Sequence, residues 1–145
     1  MAGKTILLKG SNHFDEGTLE AAVSPGMAVE LTPTGGLDEV QASQAEALKQ
    51  GIPIVVLEDA LQGKIVTAAY SSGDKVFTYQ PVAGDHIQVL VKDGETIAVA
   101  DKLVLEGGGS GLWLGITGSE AAYQVKALEA VSPSGANGLC SVAVL

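Results

Sequence analysis

Short apolar runs broken by glycine-centred turns, recurring every 8–12 residues over the last two thirds of the chain, constrain the fold most. Ile54-Val55-Val56-Leu57 is a continuous apolar run of the buried-strand type. Lys64 to Tyr70 is another, closed by Ser71-Ser72-Gly73-Asp74. Lys75 to Tyr79 alternates and stops at Gln80-Pro81, and His86 to Val91 alternates up to Lys92-Asp93-Gly94-Glu95, a hairpin-type signal. Ile97 to Val99, Lys102 to Leu105, Leu112 to Ile116, Tyr123 to Val131 and Leu139 to Leu145 complete the series. Earlier, Met27 to Leu31 is a strand opened by Ser24-Pro25-Gly26 and closed by Thr32-Pro33-Thr34-Gly35-Gly36. Strands at this spacing make a sandwich or barrel, not an alternating α/β sheet. Glycine, 19 of 145 residues, is near twice its usual share of about 7% and supplies the turns.

One segment reads as helix. Leu37 to Gln50 holds good helix formers, early acids, Lys49 in its last turn and Gly51 as a stop, and the second half fits best. The first twenty residues stand apart. Thr5 to Leu8 is a strand-like run with no hairpin partner beside it, followed by the turn-prone Gly10 to Gly17. Two readings fit: an ordinary first strand of the core, or an arm that orders when a partner offers a sheet edge. The expected organisation is therefore an N-terminal arm over 1–20 and a single β-rich domain over 21–145.

Charge excludes several function classes. Lys and Arg total 8, every one a lysine, against 17 Asp and Glu, giving a net charge of −9. A nucleic-acid binder needs a basic stripe and usually arginine forks, so no nucleic-acid partner is expected, and anionic membrane surfaces should repel the chain. No stretch approaches the ~20 apolar residues of a membrane span, and the run before Lys9 is too short for a signal peptide. The single cysteine, Cys140, permits no internal disulfide, fits a cytosolic site of synthesis, and reads as a small buried hydrophobe.

Catalytic motifs fail one by one. Gly3-Lys4-Thr5 lacks the glycine that a phosphate loop places five residues earlier. Gly107 to Gly111 lacks the flanking glycine of a nucleophile elbow, since Leu112 stands there, and reads as a hairpin tip. Only His13 and His86 could serve a Ser-His-Asp site or a metal, and adjacent acids such as Asp15-Glu16 or Glu58-Asp59 are commonly a solvated surface. No enzyme activity, metal or cofactor is expected. Trp113 reads as core, with a contact between subunits as the alternative.

The stretch from Pro53 to Trp113 carries a resemblance. Pro53 to Asp59, Gln62-Gly63-Lys64, Ala69-Tyr70, Gly73-Asp74-Lys75-Val76, Gly84-Asp85-His86-Ile87-Gln88-Val89, Ile97 to Leu103 and Glu106 to Gly109 resemble the head decoration, or cement, proteins of tailed phages, the lambda type. Ala127 to Val131 and Ser141 to Leu145 continue the likeness. The resemblance implies a mainly β fold, a small barrel of the β-tulip type, here with one short helix and an extended N-terminal arm. It implies a homotrimer on the outer surface of an expanded HK97-type capsid, bridging and stabilising major capsid protein subunits, with no catalytic residues and no cofactor. The capsid-facing residues would be Lys4, Thr5, Ile6, Leu7, Leu8, His13 and Phe14, and Trp113 a trimer contact. One departure is that Ala100 stands before Asp101 where the family has glycine, so this turn is expected to be built differently. Two alternatives keep other functions open: a virion fibre or tail adhesin, and a biotinyl or lipoyl carrier, against which the absence of a lysine at the Gly107 to Gly111 tip argues.

Overall fold

The computed structural model describes residues 5–9, 14–40, 54–59, 65–106, 110–116 and 125–145. Those residues hold eleven strands and no helix. They are β1 (Leu7–Lys9), β2 (Phe14–Thr18), β3 (Ala28–Leu31), β4 (Leu37–Glu39), β5 (Ile54–Val56), β6 (Lys75–Tyr79), β7 (His86–Val91), β8 (Lys102–Leu105), β9 (Trp113–Gly115), β10 (Val125–Ala127) and β11 (Gly138–Val144). They form two sheets, one of six strands in the order β1-β7-β11-β10-β8-β9 and one of five in the order β2-β6-β5-β3-β4. Pairing between the strands is antiparallel, except that Val91 of β7 lies in parallel register with Trp113 of β9, and the isolated bridge from Leu19 to Leu37 is also parallel.

The burial pattern explains why β5 reads as unbroken hydrophobe. Val55 belongs to the cluster between the two sheets, with Ile87, Val89, Leu103, Trp113, Val125 and Val142. Val56, its neighbour, points the other way into a second cluster with Leu19, Val23, Met27, Val29, Leu37, Tyr70 and Val76. The five-stranded sheet is thus covered on both faces, which removes the polar half of the alternation. Each such side chain contributes roughly 1.5–3 kcal/mol through area removed from water.

A single turn design opens four of the strands. In Ser71–Asp74, Val82–Asp85 and Ala98–Asp101 the N–H of the Asp donates to the carbonyl three residues back, at 3.1 Å in each. The Asp carboxylate then accepts the N–H of that first residue, at 2.9, 2.9 and 2.8 Å respectively. Ser24–Met27 repeats the backbone bond at 3.1 Å, and Met27 Sδ stands 3.1 Å from the Ser24 amide where the others place oxygen. The third residue of each turn has positive φ: 88° at Gly26, 88° at Gly73, 94° at Gly84 and 73° at Ala100. That is the requirement of a type II turn, normally met by glycine. The Ala100 turn is therefore built like its glycine counterparts, and the expected difference is absent. The alanine is simply held in the left-handed region.

Two further expectations change. Leu37–Glu39, where a helix was to begin, is strand β4, because Leu37 pairs with Leu19 and fills the space over Gly17, where a Cβ would lie 2.4 Å from Leu37 Cδ1. Residues 41–50, the rest of that helix, lie outside the described residues. Ile65 to Tyr70 forms a turn, Ala68 N–H to Ile65 O at 2.9 Å, and then a single bridge from Tyr70 to Val23 instead of a strand. The Tyr70 hydroxyl donates to Leu57 O at 2.9 Å, anchoring this segment beneath the second cluster. Strands β8 and β9 pair antiparallel, with Leu105 opposite Trp113; residues 107–109 of the expected glycine-rich tip lie outside the described residues.

Candidate interaction surfaces

The N-terminal segment is laid along the edge of the six-stranded sheet. Strand β1 pairs antiparallel with β7, Leu7 opposite Ile87 and Lys9 opposite His86, with an irregularity between them. Just before it, Ile6 is fully buried in the cluster between the sheets. Its N–H donates to Glu58 Oε2 at 2.9 Å, and its carbonyl accepts the Gln88 N–H at 2.6 Å. The Gln88 side chain, itself buried, donates from Nε2 to the Thr5 carbonyl at 2.6 Å. A buried amide left without a partner would cost about 1–3 kcal/mol, so Gln88 and the segment over it satisfy one another.

Of the sequence-selected contact residues, Thr5 and Ile6 are thus tied to the chain's own core and Leu7 and Leu8 lie in or beside a strand of its own sheet. The reading of an ordinary first strand describes Leu7–Lys9. The Ile6 side chain is not part of the surface. Phe14 opens β2, opposite Tyr79 in the other sheet. Lys4 and His13 lie outside the described residues. Glu58 and Gln88, which hold the segment down, were not selected. Gln88 had a signal, a polar residue inside the apolar His86 to Val91 run, whereas Glu58 had none.

Trp113 is core. It is 1% exposed among Leu103, Leu105 and Val125, so its side chain offers no surface to a neighbouring subunit. Its indole N–H has no hydrogen-bond partner among the described residues. Cys140 is also buried, and burial together with Glu129 pushes its thiol up to about 12, so it is protonated and inert near neutral pH. A second buried polar group with a clear structural role is Asp85, whose Oδ2 accepts both the Tyr79 hydroxyl, at 2.6 Å, and the Val82 amide.

No protein-family model matches the chain, and no curated protein does. Among solved structures, the chain is similar to the head fiber gp8.5 N base in bacteriophage phi29, with a TM-score of 0.55 and 14% identity. The match covers 91% of this chain and 92% of that one. The two share a fold. The likeness is one of overall fold, spread over nearly the whole of both chains.

Proposed function

We propose that this chain is a structural protein of a phage head, which seats as a homotrimer on the outer surface of an expanded HK97-type capsid and stabilises it by bridging major capsid protein subunits. The observation that carries this reading is the fold shared with a phage head fibre base over more than nine tenths of both chains. The turn and strand motifs from Pro53 to Trp113 support it from a second direction. In this role the chain catalyses nothing, holds no cofactor, and has the capsid and other copies of itself as partners, with neither nucleic acid nor membrane among them. Its acidic surface suits a site outside the shell, away from packaged DNA.

The test is co-sedimentation with expanded, undecorated shells and with unexpanded procapsids. Full-length protein is compared with a form lacking residues 2–4, which retains Thr5 and Ile6. Pelleting with expanded shells alone is the expected result, and weaker pelleting of the shortened form would place residues 2–4, Lys4 among them, in the contact. Failure of folded protein to pellet with either shell would overturn the capsid reading. A fibre or adhesin role is the second reading, favoured because the similar structure is itself a fibre base. It predicts binding to host-surface glycans, read on an array, in the absence of shell binding.

A further inference from the structure

The turn design described above recurs at Lys92–Glu95, where it is closed from outside. Gly94, its third residue, has φ 88°, and the Glu95 N–H donates to Lys92 O at 3.4 Å. In the sister turns that end at Asp74, Asp85 and Asp101, the final acid binds the first residue's amide. Glu95 is used elsewhere, since its Oε2 accepts the Gly115 N–H at 3.0 Å. The segment ahead of β11 clamps the turn in its place. The Asp93 N–H donates to Asn137 Oδ1 at 2.9 Å, and the Gly94 N–H donates to Pro133 O at 3.1 Å.

This clamp gives two adjacent residues their identities. Asn137, which is exposed, supplies the accepting oxygen. Gly138 opens β11 opposite Val91, and a Cβ there would lie 3.0 Å from Pro133 Cγ, tighter than an ordinary contact. Each choice is structural, and together they write an Asn-Gly pair into an exposed segment. In such a pair the glycine nitrogen can attack the asparagine side-chain carbonyl and close a five-membered ring. Rotation about the asparagine's own bonds brings the two atoms together, and the glycine has no Cβ to obstruct the approach. Gly138 is also the terminal rung of the β11–β7 ladder, where pairing frays most readily and releases the nitrogen.

We infer that Asn137 is a site of spontaneous deamidation in the folded protein, activated by the Asp93 N–H. The Gly138 nitrogen loses its proton to solvent base and bonds to Asn137 Cγ. Negative charge gathers on Oδ1, at which the Asp93 N–H already points. That is the arrangement of an oxyanion donor, set in place before the reaction begins. The Cγ–Nδ2 bond then breaks, Nδ2 takes up a proton and leaves as ammonia, and a succinimide remains. Water opens this ring at either carbonyl, giving aspartate or isoaspartate. Aspartate adds a negative charge and keeps an oxygen for the Asp93 N–H, a bond that charge strengthens. Isoaspartate lengthens the main chain by a methylene between the clamp and β11.

The test holds the full chain at mildly alkaline pH for several weeks, folded in one arm and in concentrated guanidinium chloride in the other. Peptide maps by mass spectrometry follow the amide-to-acid mass gain, and circular dichroism confirms the fold of each variant. The gain is expected at Asn137, as a pair of aspartyl and isoaspartyl peptides. In the folded protein it should run within about 30-fold of the unfolded rate, because the terminal rung opens readily. Asn137→Gln should abolish the gain in this peptide. Asp93→Pro suits the second position of this turn but lacks the N–H, and should slow the folded reaction by roughly 10-fold. An Asn137 that stays intact in the folded protein while the unfolded chain converts would overturn the inference, since the ladder would then seal the nitrogen. Conversion in folded Asp93→Pro as fast as in wild type, or faster, would overturn the role given to the Asp93 N–H. The comparison of folded and unfolded wild type decides the site even where a variant does not fold.

Discussion

At Ala100 a methyl group occupies a position that three sister turns give to glycine. The left-handed region costs an L-residue about 1–2 kcal/mol, and glycine gives part of that back as extra unfolded-state freedom. Ala100→Gly should therefore stabilise the protein by about 0.5–1 kcal/mol, read as a higher urea midpoint at unchanged slope. Gly84→Ala, at φ 94° in the corresponding turn, should move the midpoint the other way. The sequence showed the Gly-Asp motif but not that an alanine would keep its geometry. The Asp101 carboxylate and the Asp101 amide fix both ends of the turn, so the conformation of the residue between them is imposed. Cys140 and Trp113 were legible as core because each sits in an apolar run. Gln88 was not legible as an anchor, since its partner is the backbone of Thr5, far away in sequence.

Strands buried on alternate positions, such as β11, were plain in the sequence, and so was β5, buried on both faces. The edge strands β2 and β4 were not. Phe14–Thr18 contains two acids and a glycine, and Leu37–Glu39 belongs to a stretch of good helix formers, so local preference points away from strand at both. Long-range pairing to β6 and β3 decided them. Acidic edges also discourage unwanted strand addition. An electrostatic clasp, the Lys92–Glu106 ion pair, ties the end of β7 to the residue after β8, with the Ser110 hydroxyl donating to Glu106. Hydrogen bonds from Lys92 and Ser110 hold the Glu106 carboxyl below its usual range, and the pair holds Lys92 above its own. A depressed carboxyl stabilises the fold above its unfolded pKa, near 4.5, and loses that contribution as pH falls through the folded value. The stability gap between wild type and Glu106→Gln should thus be widest near neutral pH and close below pH ~4, in urea titrations across pH. The effect should be small, because the clasp is largely exposed, and smaller still in high salt.

Across the whole molecule the N-terminal segment is a tie between sheets. β1 belongs to the six-stranded sheet and β2, shortly after it, to the five-stranded one. Ile6 sits in the shared core, and Glu58, two residues past β5, holds its amide. Ile6→Ala should cost about 2–4 kcal/mol and lower unfolding transitions followed by tryptophan fluorescence and by far-UV dichroism together, because both sheets lose the same filler. Separate transitions would show two independently stable sheets. The position of β1 has a further consequence during synthesis. Ile6-Leu7-Leu8 leaves the ribosome well before its partner β7, which begins only at His86. At about 5–20 residues per second, that apolar strand waits roughly 4–16 s for its partner to be made. Over that interval the nascent chain exposes a bare β-edge to chaperones and to neighbouring chains on the same message, and a slow or paused ribosome lengthens the exposure.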